Sequence, residues 1–291
     1  MVYVSKKKVG KKDYYYYLVR SSRPPYGKIT KYFGNNKPSK EDIDRFKEEH
    51  GTIKLLLDSK KEILDKLKES FNKKVRGSTK DELRKFKEEL MIQFTYDTSR
   101  IEGSSLSYED TRMLFKHGIN PKKNLRDVRE TEHHKRLFEY IWNGLDRKLN
   151  KELILDLHRI LKKDITEDAG KFRDRQVMVG NLVPVKASMV EKELDDLIEW
   201  YEKNCKIYPI ELASIFHANF ERIHPFFDGN GRVGRLLLNF ILLKMEFPLV
   251  IIQNKNKRRY YNALRRADDG EYYYLVKYVI FEMENMKKFY R

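Results

Sequence analysis

The stretch IELASIFHANFERI-HPFFDGNGRVGR-LLLNFILL spans residues 210–243 and decides how the chain folds. In its first part Leu212, Phe216, Phe220 and Ile223 recur at helical spacing, so one face of a helix over about 208–223 is apolar. Pro209 suits the first turn of that helix. The last part is apolar on every side, which predicts a helix buried all round from about 231 to 246, stopping before Pro248. Between them lies a polar, glycine-rich corner. Two buried helices that frame such a corner point to a helical body carrying its chemistry in a loop.

Working outward, helices are expected at about 79–102, 107–117, 125–144, 150–163, 188–204, 256–267 and 271–289. Thr79 followed by Glu82 reads as a capping box, and Leu83, Phe86, Leu90 and Phe94 mark the buried face of that helix. Residues 175–185 break the pattern: apolar flanks around Gly180-Asn181 predict a short β-hairpin. Residues 14–19 and 28–33 read as strands, with turns at Gly10 and at 24–27. A second capping box at Ser39 to Asp42 opens a charged helical stretch to about 74, interrupted near Gly51, and 75–78 reads as a linker. The expected fold is mainly α: a helical bundle with a β-hairpin flap and a small β-rich N-terminal arm. The expected segments are 1–38, a basic β-rich arm; 39–77, a charged helical linker region; 78–104; and 105–291.

The 291 residues are 40% hydrophobic and 13% aromatic, too apolar for a disordered chain. The longest apolar stretch, 236–243, is far short of a membrane span, and the basic start has no apolar segment behind it. One cysteine, Cys205, excludes an internal disulfide, and no Cys/His pairs sit at zinc spacing. A cytoplasmic location is expected, with no membrane partner. The net charge is +17, and residues 1–40 carry 11 basic residues against one acid. Such an arm attracts nucleic acid or acidic partner surfaces, although lysines also keep small sheets soluble.

The corner at 224–235 suits a phosphate chain. Gly229 and Gly231 permit close backbone approach, and the loop opens into a helix N-terminus whose free N–H groups favour anions. Arg232 and Arg235, three apart, supply two guanidinium forks on one face. Asp228 among these cations makes sense as a ligand for Mg²⁺ bridging to phosphate. His224 can act as a general base near neutral pH. Phe226 turns inward to fix the loop, and His217 supports packing or orients it. The P-loop signature and the kinase set are absent.

His224-Pro225-Phe226-Phe227-Asp228-Gly229-Asn230-Gly231-Arg232-Val233-Gly234-Arg235 resembles the signature of the Fic family, H-x-F-x-(D/E)-G-N-G-R-x-x-R, at every fixed position. The likeness extends from about 95 to 265, including Leu157-His158-Arg159 and Gly170-Lys171-Phe172-Arg173. Members of this family mostly transfer AMP from ATP to a hydroxyl of a target protein. The resemblance therefore implies a protein adenylyltransferase in which His224 deprotonates a Tyr, Thr or Ser hydroxyl. Asp228 would hold Mg²⁺ or Mn²⁺. Asn230 and the backbone from Gly229 to Arg232 would form the anion hole for the α-phosphate, and Arg232 and Arg235 would grip the β- and γ-phosphates. The hairpin, with Val177, Met178, Val179, Gly180, Leu182 and Val183, resembles the flap that aligns the target by strand addition. Tyr260, Tyr261 and Asn262 fall where such proteins contact the adenine side.

Thr98-x-x-x-Glu102-Gly103 resembles the family's inhibitory pattern (S/T)-x-x-x-E-(G/N). It implies that Glu102 pairs with Arg235, takes the partner of the γ-phosphate, and leaves ATP in a pose that misdirects the α-phosphorus. In some relatives the same glutamate positions water to remove AMP. Two other readings stand beside this one. The site could use another donor (UTP, GTP, a phosphocholine donor) or transfer phosphoryl groups as in the Doc branch, which fits poorly because Gly231 and Arg235 are both present. Or the basic arm makes the chain a nucleic-acid-binding regulator with the core as a nucleotide sensor. The target and oligomeric state stay open, though relatives often form homodimers.

Overall fold

The computed structural model describes residues 2–9, 13–21, 28–50, 52–180 and 183–290. The turns expected at Gly10 and 24–27, the break at Gly51 and the flap residue Leu182 lie outside the described residues. The chain divides into two units, 1–62 and 63–291.

In the first unit, β1 (Val2–Val9), β2 (Asp13–Ser21) and β3 (Lys28–Tyr32) form an antiparallel sheet in the order β1-β2-β3, with Lys6 opposite Tyr16 and Tyr17 opposite Tyr32. Helix α1 (Lys40–His50) lies against β2. Its capping box is reciprocal: the Ser39 hydroxyl accepts from the Asp42 N–H at 3.0 Å, and the Asp42 carboxylate accepts from the Ser39 N–H at 3.0 Å. Helix α2 (Ile53–Gly77) then runs through the division between the units. The linker expected at 75–78 is instead helical as far as Gly77. The last turn is tied down by Asn72 Nδ2 donating to the Glu246 carbonyl at 3.1 Å and by an Arg76–Glu246 ion pair at 2.5 Å.

The second unit is helical: α3 (Lys80–Ile101), α4 (Tyr108–His117), α5 (Leu125–Trp142), α6 (Lys151–Lys162), α7 (Val190–Lys203), α8 (Pro209–Ile223), α9 (Asn230–Lys244), α10 (Lys257–Asp268) and α11 (Tyr273–Asn285). The capping box of α3 forms as its sequence dictates, with Glu82 N–H on the Thr79 hydroxyl at 3.3 Å and Thr79 N–H on the Glu82 carboxylate at 2.8 Å. Helix α9 is the axis of the unit. Every residue from Val233 to Leu242 is buried, and α9 packs on α3, α5, α6 and α8. Filling that volume with leucines and Phe240 contributes about 1.5–3 kcal/mol for each large side chain. No helix among the described residues is long and apolar enough to cross a membrane.

The hairpin expected at 175–185 turns at Gly180. Gly180 adopts φ +58°, and only a single bridge at Val179 is present among the described residues. Pro184 has no N–H to give to a ladder. The two arms are instead joined by Gln176 Nε2 donating to the Pro184 carbonyl at 3.0 Å and by Arg173 donating to the Val185 carbonyl. Met178, Val179 and Val183 are exposed, so the segment presents an apolar edge.

Candidate active site

The corner between α8 and α9 is built by strain and by buried braces. His224 ends α8 in the left-handed region, φ 52° and ψ 63°, a conformation costing a non-glycine residue about 1–3 kcal/mol. Arg173, 2% exposed, holds it there. Its Nε donates to the His224 carbonyl at 2.8 Å, an Nη donates to the Ile223 carbonyl at 3.3 Å, and its backbone N–H donates to the Pro225 carbonyl at 2.9 Å. Phe226 does turn inward, fully buried and stacked on His158 with centroids 3.8 Å apart. The His158 ring has one possible tautomer. The Gly170 N–H donates to Nδ1 at 3.0 Å, so Nε2 carries the proton and donates to the Asp228 carbonyl at 3.1 Å. Burial pushes the His158 pKa down to about 4, consistent with a neutral ring.

The tautomer of His224 follows the same logic. Nδ1 lies 3.2 Å from the Glu221 carbonyl, which can only accept, so Nδ1 bears the proton of the neutral ring and Nε2 is the basic nitrogen. Burial lowers the pKa of His224, against the opposing pull of that hydrogen bond, and keeps the base unprotonated at neutral pH. Gly229 takes φ 87° to start α9, and no side chain caps the helix, which leaves its first N–H groups for an anion. A Cβ on Gly229 would press on Leu161 and Lys162 at 3.0–3.1 Å. Asn230 is buried and laces the corner shut: Phe226 N–H donates to its Oδ1 at 2.9 Å, and its Nδ2 donates to the Phe226 carbonyl at 2.8 Å. One amide hydrogen of Asn230 is left over from that exchange.

The two arginines separate into different networks. Arg235, 1% exposed, reaches α3: Nε donates to the Thr98 hydroxyl at 2.6 Å, and an Nη donates to the Thr98 carbonyl at 3.2 Å and to Glu102 Oε1 at 2.6 Å. Burial works against the charge of Arg235, but Glu102, Tyr260 and Glu221 together outweigh it and raise the pKa further. Gly103 takes φ +91° and ends α3 at that point. The Glu102 carboxylate also lies over Gly231, where a Cβ would clash with it. Arg232 turns the other way, to Glu130 on α5 and to Asp228 at 3.4 Å.

Asp228 is the most heavily paired group of the corner. Lys162 Nζ lies 2.6 Å from its Oδ2, Arg126 pairs with the same oxygen, and the Gly229 N–H donates to Oδ1 at 2.6 Å. Burial alone would raise the carboxyl's pKa, but Lys162, with Arg232 and Arg126, holds it down at about 2. Glu130 Oε1 accepts from Lys162 at 2.6 Å. Mg²⁺ wants near-octahedral oxygen ligands. Here the carboxylate oxygens already face protein cations: Asp228 Oδ2 is shared by Lys162 and Arg126, and the two oxygens of Glu130 are taken by Lys162 and Arg232. In this arrangement the residues do not fit a divalent ion.

Tyr260 is corrected from a nucleotide contact to a core residue. It is 1% exposed, its hydroxyl lies 2.7 Å from His217 Nε2, and its ring stacks on His217. Tyr261 and Asn262 are exposed beside it, with the Tyr261 hydroxyl donating to the Ile101 carbonyl at 3.4 Å. Lys162, Glu130 and Arg126 had no signal in the sequence, being single charges on two helices. Arg173 stood out only through the family likeness.

A strained histidine, an uncapped helix start and a buried arginine meet at one corner of a helical bundle, an arrangement suited to an anion. The profile of the Fic/DOC family matches residues 148–242. The protein adenylyltransferase fic-1 of Caenorhabditis elegans is 35% identical over 205 residues, 68% of this chain and 40% of that protein. The protein adenylyltransferase Fic of Nematostella vectensis is 31% identical over 198 residues, 66% of this chain and 46% of that protein. A solved structure of Caenorhabditis elegans Fic-1 superposes with TM-score 0.70 at 28% identity, covering 87% of this chain and 77% of that one. A Fic domain containing signaling protein from Bacteroides thetaiotaomicron superposes with TM-score 0.70 at 24% identity, covering 76% and 94%, a likeness of fold. The chain belongs to the Fic family. It spans less than half the length of these two curated relatives.

Proposed function

We propose that this chain transfers AMP from ATP to a hydroxyl of a protein, and that Glu102 restrains it. The names of its relatives support the reaction, and the neutral His224 beside the uncapped start of α9 supports its mechanism. The triphosphate lies along the first turn of α9. Nε2 of His224 takes the proton of the target Tyr, Thr or Ser hydroxyl. The oxygen attacks the α-phosphorus, forming the new O–P bond as the bond to the bridging oxygen of pyrophosphate breaks. The N–H groups at Asn230, Gly231 and Arg232 face the charge that builds on the α-phosphate. The target segment docks along the apolar edge of Met178, Val179 and Val183.

The observation that carries the restraint is the Glu102–Arg235 ion pair of 2.6 Å. While it stands, Arg235 is not free for the γ-phosphate, and ATP sits in an unproductive pose. A misplacement of about 1 Å costs roughly 10²-fold in rate. Auto-AMPylation with labelled ATP tests both parts: Glu102→Gly should label more strongly than the wild type, and His224→Ala should not label. The 29% exposure of the same glutamate supports a second role for it, acting on water in AMP removal.

A further inference from the structure

The cations around Asp228 are not arranged like a surface ion pair. Lys162 is 1% exposed, and its ammonium lies 2.6 Å from Asp228 Oδ2 and 2.6 Å from Glu130 Oε1. It bridges one oxygen of each carboxylate, as a divalent ion bridging them would. The second oxygens are also taken. Glu130 Oε2 pairs with Arg232, and Asp228 Oδ1 accepts from the Gly229 N–H at 2.6 Å and lies 3.4 Å from Arg232. Arg126 reaches both carboxylates, at 3.3 Å from Glu130 and in a short pair with Asp228. Three cations thus meet two carboxylates, which leaves one positive charge over.

A buried ammonium needs such partners, since an unpaired charge there would be severely destabilising. It is also fixed in place, because its stem is packed against the Gly229 backbone, where a Cβ would meet Lys162 Cε at 3.1 Å. A divalent ion on Asp228 Oδ2 would have to displace both Lys162 and Arg126 from that oxygen and would crowd a buried ammonium.

We propose that Lys162, assisted by Arg126, is a built-in replacement for the divalent cation at Asp228, so that this chain binds a nucleotide triphosphate tail with little dependence on Mg²⁺. The inference rests on the nucleotide reading of the corner. Lys162 is a positioning residue: it neutralises Asp228 and Glu130 and sets the surplus positive charge beside the start of α9, where phosphate oxygens arrive. Replacing it by an apolar side chain removes the surplus positive charge, leaving two arginines against two carboxylates, and opens Asp228 Oδ2 to a metal.

The test is calorimetric titration of the full chain with α,β-methylene-ATP, which cannot transfer AMP, in chelator and in Mg²⁺. For the wild type the dissociation constants in the two buffers should differ by less than about tenfold. Lys162→Met should bind more than about tenfold more weakly in chelator and recover in Mg²⁺, and Mn²⁺ added without nucleotide should bind to it and not to the wild type. Wild-type affinity that rises about tenfold or more with Mg²⁺ overturns this inference alone. Binding in neither buffer removes the nucleotide reading and this inference with it. The wild-type comparison decides the matter if the variant does not fold.

Discussion

Glu102→Gly is the perturbation with the most to reveal. In the resting protein Arg235 makes three hydrogen bonds to α3, two to Thr98 and one to Glu102 at 2.6 Å. The variant removes only the last. A hydrogen bond to a charged group contributes about 1.5–3 kcal/mol. Thr98 keeps its two bonds and water reaches the 29%-exposed position of Glu102, so the loss belongs at the lower end, roughly 1.5–2 kcal/mol. For a helical unit of this size that lowers Tm by about 3–8 °C. The freed guanidinium can then take the γ-phosphate, so ATP should restore more of the lost stability in the variant than it adds to the wild type. Correct alignment of the α-phosphorus should raise the rate about 10²-fold. The assay is auto-AMPylation with ATP labelled in the α-phosphate, run beside thermal melts with and without ATP. Equal labelling of wild type and a folded Glu102→Gly protein would refute the reasoning.

Three further outcomes are expected. Because burial depresses the pKa of His224, the reaction should lose rate on the acid side only below the ordinary histidine range and stay flat above it; a pH–rate profile of Glu102→Gly with an acid limb above pH ~6.5 would contradict this. Arg173→Ala should lower kcat by at least about tenfold with little change in KM for ATP, because the left-handed His224 loses its brace; steady-state kinetics with a circular-dichroism check of the fold measure it. Buried Glu221 is pushed up to about 8, so the folded chain keeps a proton that the unfolded chain loses near 4.5. Its stabilising contribution is then full below about pH 4.5 and lost as the pH rises to about 8. Glu221→Gln should flatten that part of the stability curve in urea melts, whereas an unchanged slope would mean the carboxyl ionises at an ordinary pH.

The sequence was most informative where local rules act alone. Capping residues at Ser39 and Thr79 set helix starts, and the apolar periodicity before and after 224–235 set the two helices that frame the site. The close backbone approach at Gly229 and the inward Phe226 were readable for the same reason: a tight corner between buried helices leaves few alternatives. What could not be read depends on distant residues meeting. Lys162 and Glu130 are 32 positions apart and look like solvated charges until α5 and α6 pack together. Arg232 and Arg235 share a helix turn, yet the nearest carboxylates draw them apart, one to Glu130 and one to Glu102. Tyr260 lies between an exposed arginine and an exposed tyrosine, and only the packing of α10 on α8 and α11 turns it inward onto His217. At the flap the turn at Gly180 was readable, but the ties of its arms were not, because Gln176 and Arg173 meet the carbonyls of Pro184 and Val185 only once the segment folds back.

Parallel incubations of the Glu102→Gly chain, one with ATP labelled at the α-phosphorus and one with ATP labelled at the γ-phosphorus, address the central claim most directly. The account predicts covalent label from the first and none from the second, and no label from either once His224 is replaced by alanine. Label retained from the γ-phosphorus, or α-label that survives the loss of His224, would contradict it.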